Sequence, residues 1–118
     1  MAAQFVASPT GRVVVIDAGH GGVDGGAVAK DGTVESGINL SIALTLKELF
    51  LFCGIEPVMI RETDVSIHSE EAETISQKKV SDLKNRVRIV NTTNNAFLVS
   101  IHQNYFPDRR YYGPQIFF

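Results

Sequence analysis

Two runs of apolar, mostly β-branched residues, Arg12-Val-Val-Val-Ile-Asp17 and Ala96-Phe-Leu-Val-Ser-Ile101, are bounded by turn residues and predict two buried strands. Between them Ile38, Ile42, Leu46, Leu49, Phe50 and Cys53 recur at helical spacing, which predicts a helix over 35–53 closed by Gly54. Val80, Leu83, Val87 and Val90 mark a second amphipathic helix over about 80–94, ending in the turn-rich Asn91-Thr-Thr-Asn-Asn95. Residues 55–61 read as the second strand in chain order, with Pro57 arguing for an edge position or a bulge because it removes a backbone donor. Residues 62–77 are polar and acidic without a period and read as a surface loop, and Gln115-Ile-Phe-Phe118 looks like the start of a fourth strand. Strands alternating with helices predict parallel βαβ units: an α/β three-layer sandwich with a mostly parallel sheet flanked by helices, incomplete at the C-terminus.

Length and composition narrow the picture. A chain of 118 residues supports one domain, able to bury roughly two-thirds of its unfolded surface. Apolar residues make up 44% and charged residues 20%, the balance of a globular protein. The formal net charge is −2 and the basic residues cluster only at Lys78-Lys79 and Arg109-Arg110, which argues against nucleic acid or an anionic membrane as partner. The single Cys53 excludes an intrachain disulfide, and its place on the apolar helix face suggests a buried, inert thiol. No stretch is long and apolar enough to span a membrane. The first nine residues lack the basic and apolar regions of a signal peptide, so residues 1–10 read as a leader and 11–118 as the folded unit.

The candidate chemistry sits where the strands end. His20 follows the first strand in Asp17-Ala-Gly-His-Gly-Gly22, and His102 closes the third-strand run in Ser100-Ile-His-Gln-Asn104. If the two strands are parallel neighbours, both imidazoles emerge at the C-terminal edge of the sheet, where open α/β folds place their sites. Glu35 opens the first helix, and a right-handed crossover returns that helix start past the same edge. Two histidines and a carboxylate make a three-ligand zinc site with a fourth position for water. Plainer readings stand beside this one: a glycine-rich turn for 17–22, a helix-dipole carboxylate for Glu35, and a satisfied structural histidine for His102. Asp17, Asp24 and Asp31 rival Glu35 as ligands, and Asp17 alternatively fixes the tautomer of His20. Asn104 alternates with His102 and can reach the same pocket, whereas His68 reads as a solvated loop residue. A phosphate-binding loop is excluded, since no Gly-Lys-Ser/Thr follows and Asp24 stands where the last glycine of G-x-G-x-x-G would be.

Taken together, I-D-A-G-H-G-G, D-G-G-A, Glu35 with Asn39-Leu40, Arg61 with Asp64, Asp82-Leu83-x-x-Arg86 and S-I-H-x-N resemble the zinc-dependent N-acetylmuramoyl-L-alanine amidases of peptidoglycan, from about Arg12 onward. The stretches 61–68 and 78–86 look most like the germination-specific amidases of spore-forming bacteria, which help to make the muramic lactam of spore cortex. The resemblance implies that His20, Glu35 and His102 bind Zn2+, with Asp17, Asn104 and Arg61 supporting the site or touching substrate. It implies cleavage of the amide between muramic acid and L-alanine of the stem peptide, on a peptidoglycan strand in an extracytoplasmic compartment such as cell wall or spore cortex. It leaves room for an accessory lipoprotein or protein regulator. No residue here matches the family's catalytic glutamate, so the general base is expected beyond Phe118. The alternative is an inactive zinc-holding module that binds peptidoglycan or a partner; other zinc hydrolases, such as carboxypeptidases, lack matching motifs.

Overall fold

The computed structural model describes residues 10–118. The leader expected over 1–10 lies, apart from Thr10, outside the described residues. Five elements follow in the order β1 (Val13–Ala18), α1 (Glu35–Phe52), β2 (Val58–Met59), α2 (Ile75–Thr92) and β3 (Ala96–Ile101). The strands form one parallel sheet in the order β2-β1-β3, with β1 in the middle. A central parallel strand is covered on both faces, which is why β1 is apolar at successive positions instead of alternating. Val14, Ile16 and Ala18 point to one face and join Ala43, Leu40, Leu46 and Phe50 of α1 in the core. Val15 and Asp17 point the other way, and there Arg86 of α2 meets Asp17. The sheet is thus flanked by helices, as the alternation of elements predicts. Val15 and Ile16 are fully buried, and such burial stabilises by roughly 1.5–3 kcal/mol per side chain.

The register fixes the site. Val13 pairs with Ala96 and Ala18 with Ile101, so one step further Gly19 stands beside His102 and donates its N–H to the Ile101 carbonyl at 3.0 Å. Both strands therefore deliver their histidines at the same sheet edge.

Four sequence expectations are corrected. The strand over 55–61 shrinks to Val58–Met59, because Pro57 lacks a donor and the Arg61 side chain is drawn inward by backbone carbonyls. The second helix begins at Ile75, five residues earlier than its apolar period suggests. There Thr74 accepts from the Gln77 N–H at 3.2 Å while Gln77 Oε1 accepts from the Thr74 N–H at 3.0 Å. This reciprocal cap starts the helix inside what composition marks as loop. Residues 115–118 form no strand; they are exposed, and among the described residues no strand pairs with them. Cys53 is exposed, not buried, since α1 stops at Phe52 and turns through Gly54 at a φ of 77°.

Candidate metal centre

Three side chains from three elements converge at the C-terminal edge of the sheet. The donor atoms of His20, Glu35 and His102 all lie within 4.8 Å of one another. His20 Nε2 is 3.4 Å and His102 Nδ1 3.3 Å from the same oxygen, Glu35 Oε1, and the two imidazoles meet edge to face with centroids 5.0 Å apart. Donors around a tetrahedral metal at bond lengths of 2.0–2.1 Å are about 3.3 Å apart. The two histidine–glutamate separations match that spacing, and these three residues could hold a divalent metal. Glu35 is buried whereas the His102 side chain is 44% exposed, so the cluster opens to solvent on the histidine side.

Each donor is held by a distinct arrangement. Glu35 Oε2 accepts from the Ala27 N–H at 2.9 Å, and Oε1 accepts from the Gln103 N–H at 2.9 Å and from Asn39 at 3.3 Å. Burial pushes the Glu35 carboxyl up, but these donors and the nearby His20 outweigh it and hold it below its ordinary value. A buried carboxylate that stays ionised suits a cation. His20 Nδ1 is paired with Asp24 Oδ2 at 2.9 Å. Burial raises the Asp24 carboxyl, while His20, Lys79 at 2.9 Å and the Gly26 N–H hold it at about 2. This leaves His20 Nε2 free to face Glu35, the carboxylate–histidine pairing that orients metal-binding imidazoles. Gly19 must lack a side chain, because a Cβ there would lie 2.3 Å from the His102 ring.

Asp24, and not Asp17, orients His20. Asp17 instead accepts from Arg86 Nη1 at 2.5 Å and from the Ser100 hydroxyl at 2.7 Å, beneath the loop. Arg61 is buried and donates to four backbone carbonyls, those of Ala18, Gly19, Ser36 and Thr63. Asn104 is exposed. Its neighbour Gln103 enters the cluster, through its N–H to Glu35 and its side chain to Asn39 at 3.2 Å. Asp31 caps its own turn by accepting from the Thr33 N–H. His68 is half-buried and bonded to the Ser66 hydroxyl at 2.8 Å, away from the cluster.

Besides Gln103, two residues escaped the site reading. Asn39 is fully buried and links Glu35 to the Gly19 carbonyl at 3.1 Å; its i,i+4 spacing from Glu35 was the available signal. Arg86 reaches the loop across the sheet face, a contact between residues 66 to 69 positions apart that no local pattern announces.

The α/β fold thus places two histidines and a carboxylate that could hold a metal ion at the C-terminal edge of a parallel sheet. The chain belongs to the N-acetylmuramoyl-L-alanine amidase family (amidase 3), which it matches over residues 14–118. It is 32% identical over 109 residues to the germination-specific N-acetylmuramoyl-L-alanine amidase of Bacillus subtilis, covering 92% of this chain and 46% of that protein. Among solved structures, the CwlD amidase from Clostridioides difficile in complex with the GerS lipoprotein superposes with a TM-score of 0.79 at 44% identity, covering 86% of this chain and 53% of that one. The amidase AmiC2 of Nostoc punctiforme superposes with a TM-score of 0.64 at 30% identity, covering 83% and 47%. The chain thus spans about half the length of these relatives.

Proposed function

We propose that this chain carries the metal-binding portion of a zinc-dependent amidase that hydrolyses the bond between N-acetylmuramic acid and L-alanine in peptidoglycan. The observation that carries the reading is the convergence of His20, Glu35 and His102, whose donor atoms lie within 4.8 Å of one another with both histidines 3.3–3.4 Å from one Glu35 oxygen. When bound, zinc supplies Lewis-acid polarisation of the amide carbonyl and lowers the pKa of a water molecule. The chain's own residues supply the rest of the arrangement. Glu35 brings the negative charge, Asp24 fixes the His20 tautomer, Asn39 and Gln103 orient the Glu35 carboxylate, and the exposed side of His102 leaves room for a muropeptide.

None of residues 1–118 is assigned the general base. We place that group, a glutamate, beyond Phe118, and read 11–118 as the N-terminal portion of the catalytic domain; the half-length coverage of the relatives supports both. The likeness to a germination-specific amidase and to an amidase solved with a lipoprotein supports a role in spore cortex, outside the cytoplasm, with an accessory lipoprotein as partner.

Incubation with purified peptidoglycan tests the proposal through release of free N-terminal L-alanine. Without a positioned base, proton transfer loses a factor of roughly 10²–10⁴. The 118-residue chain should therefore release little, and a chain extended to the length of its relatives should release it in a zinc-dependent manner. Robust chelator-sensitive release by the short chain would place the base within it. Absence of release by the extended, zinc-loaded chain would overturn the amidase reading.

A further inference from the structure

We infer that Arg61 and Arg86 act together as positioning residues, a guanidinium clamp that presets the backbone carrying the metal donors before any metal binds. The inference rests on the metal reading above. Three consecutive carbonyls, those of Ala18, Gly19 and His20, are all held by these two side chains. Arg86 donates to Ala18 at 2.9 Å and to His20 at 2.7 Å. Arg61 donates to Ala18 at 2.8 Å and to Gly19 at 3.1 Å. Both residues are buried, at 3% and 6% exposure.

The segment they hold needs holding. His20 has a φ of 62°, the left-handed region in which a residue with a Cβ is strained unless its surroundings enforce it. The same clamp reaches the other two donors. Arg61 also donates to the Ser36 carbonyl at 2.8 Å, which ties the first turn of α1, and so Glu35, to the loop of His20. Gly19, held by its carbonyl, is the surface on which the His102 ring lies.

The chemistry suits arginine alone. Arg86 is balanced by Asp17 at 2.5 Å and Asp82 at 2.6 Å while still donating to two carbonyls. Arg61 makes all four of its hydrogen bonds to carbonyls. A planar fork with five donors can do this, whereas a lysine ammonium is one point charge with three. A buried guanidinium that gives three of its four hydrogen bonds to carbonyls around the donor residues, as Arg61 does, orients that backbone.

The test uses Arg61→Lys and Arg86→Lys beside the wild-type chain. The readouts are far-UV circular dichroism for the folded fraction, zinc affinity by chelator competition, and the visible spectrum of bound Co2+. Each variant should bind zinc roughly 10–100-fold more weakly per folded molecule, the usual cost of losing a group that orients metal ligands. Its cobalt bands should also change intensity. A variant that melts lower yet keeps the wild-type zinc affinity and cobalt spectrum would overturn the clamp. If the lysine variants do not fold, the zinc-free wild-type chain decides the matter. Guanidinium protons of Arg61 and Arg86 should exchange more slowly than those of the exposed Arg109, and equal rates would overturn preorganisation. Failure of the wild-type chain to bind zinc or cobalt would overturn the metal reading itself and with it the role of the clamp. That outcome is distinct from wild-type binding with unaffected variants.

Discussion

At the scale of single residues, hydrogen-bond partners fix which atom of each side chain faces the centre. Asp24 occupies His20 Nδ1, so the Nε2 atom is the one that faces Glu35. Glu35 Oε2 accepts from the Ala27 N–H, while Oε1, held by the Gln103 N–H and Asn39, is the oxygen that both histidines approach. His20→Ala and His102→Ala should therefore each abolish stoichiometric zinc binding, and Glu35→Gln should weaken it strongly. His68→Ala, whose imidazole is bonded to Ser66 away from the cluster, should bind as the wild type does. Isothermal titration with zinc measures all four. In the wild type, zinc at a hundredfold excess over its dissociation constant should stabilise the chain by about 2.7 kcal/mol, visible as a raised melting midpoint that a chelator reverses. Loss of binding in His68→Ala with retention in His20→Ala would overturn the assignment.

At the scale of elements, α2 does more than cover the sheet. Its start is set by the reciprocal Thr74–Gln77 cap. One face carries Arg86 to the loop of His20, while Asp82 accepts from the Ile67 N–H at 2.7 Å and the Ser66 hydroxyl at 3.1 Å. Asn85 adds a bond to the Ile67 carbonyl at 2.7 Å, so the stretch read as a free surface loop is strapped to the helix along 66–69. Thr74→Ala removes a cap worth about 1 kcal/mol, and the thermal midpoint should fall by about 4 °C. Zinc affinity should not change, because the first turn of α2 lies well ahead of Arg86 and fraying there does not reach the clamp. A melt and a zinc titration of this variant check both halves of the expectation.

At the scale of the whole molecule, buried ion pairs couple the layers and make stability depend on pH. Burial pushes the Asp82 carboxyl up, but Arg86, the Ile67 N–H and Ser66 outweigh it and hold it below its ordinary value. Asp24 and Glu35 are held down as well. A carboxyl whose pKa is lower in the folded state takes up its proton more readily when unfolded. Its stabilisation is present above the unfolded value of about 4 and is lost as pH falls through the folded one. The melting midpoint of the zinc-free chain should thus decline from about pH 5 downward. Asp82→Asn should start from a lower midpoint and decline less steeply, since one of the depressed carboxyls is gone. Melts at pH 5, 4 and 3 in chelator measure the two slopes; equal slopes would show that Asp82 does not contribute.

The sequence by itself determined the elements whose signals are local. β3 falls on the residues its apolar run marks, and β1 and α1 lie within one residue of theirs, because β-branched runs and a 3.6-residue period are written in neighbouring positions. It also determined that two histidines stand at strand ends, and parallel pairing of those strands is enough to bring them to one edge. Tertiary structure alone decided the rest. Asp24 displaced Asp17 as the partner of His20 because Arg86, approaching from α2 across the sheet, claims Asp17. Gln103, with its N–H to Glu35 and its side chain to Asn39, entered the cluster where Asn104 was expected. Residues 115–118 stayed outside the sheet because a strand needs a paired neighbour as well as an apolar sequence. Hydrogen bonds across 40 to 80 positions of chain depend on which faces the layers present to each other, and no spacing along the sequence encodes that.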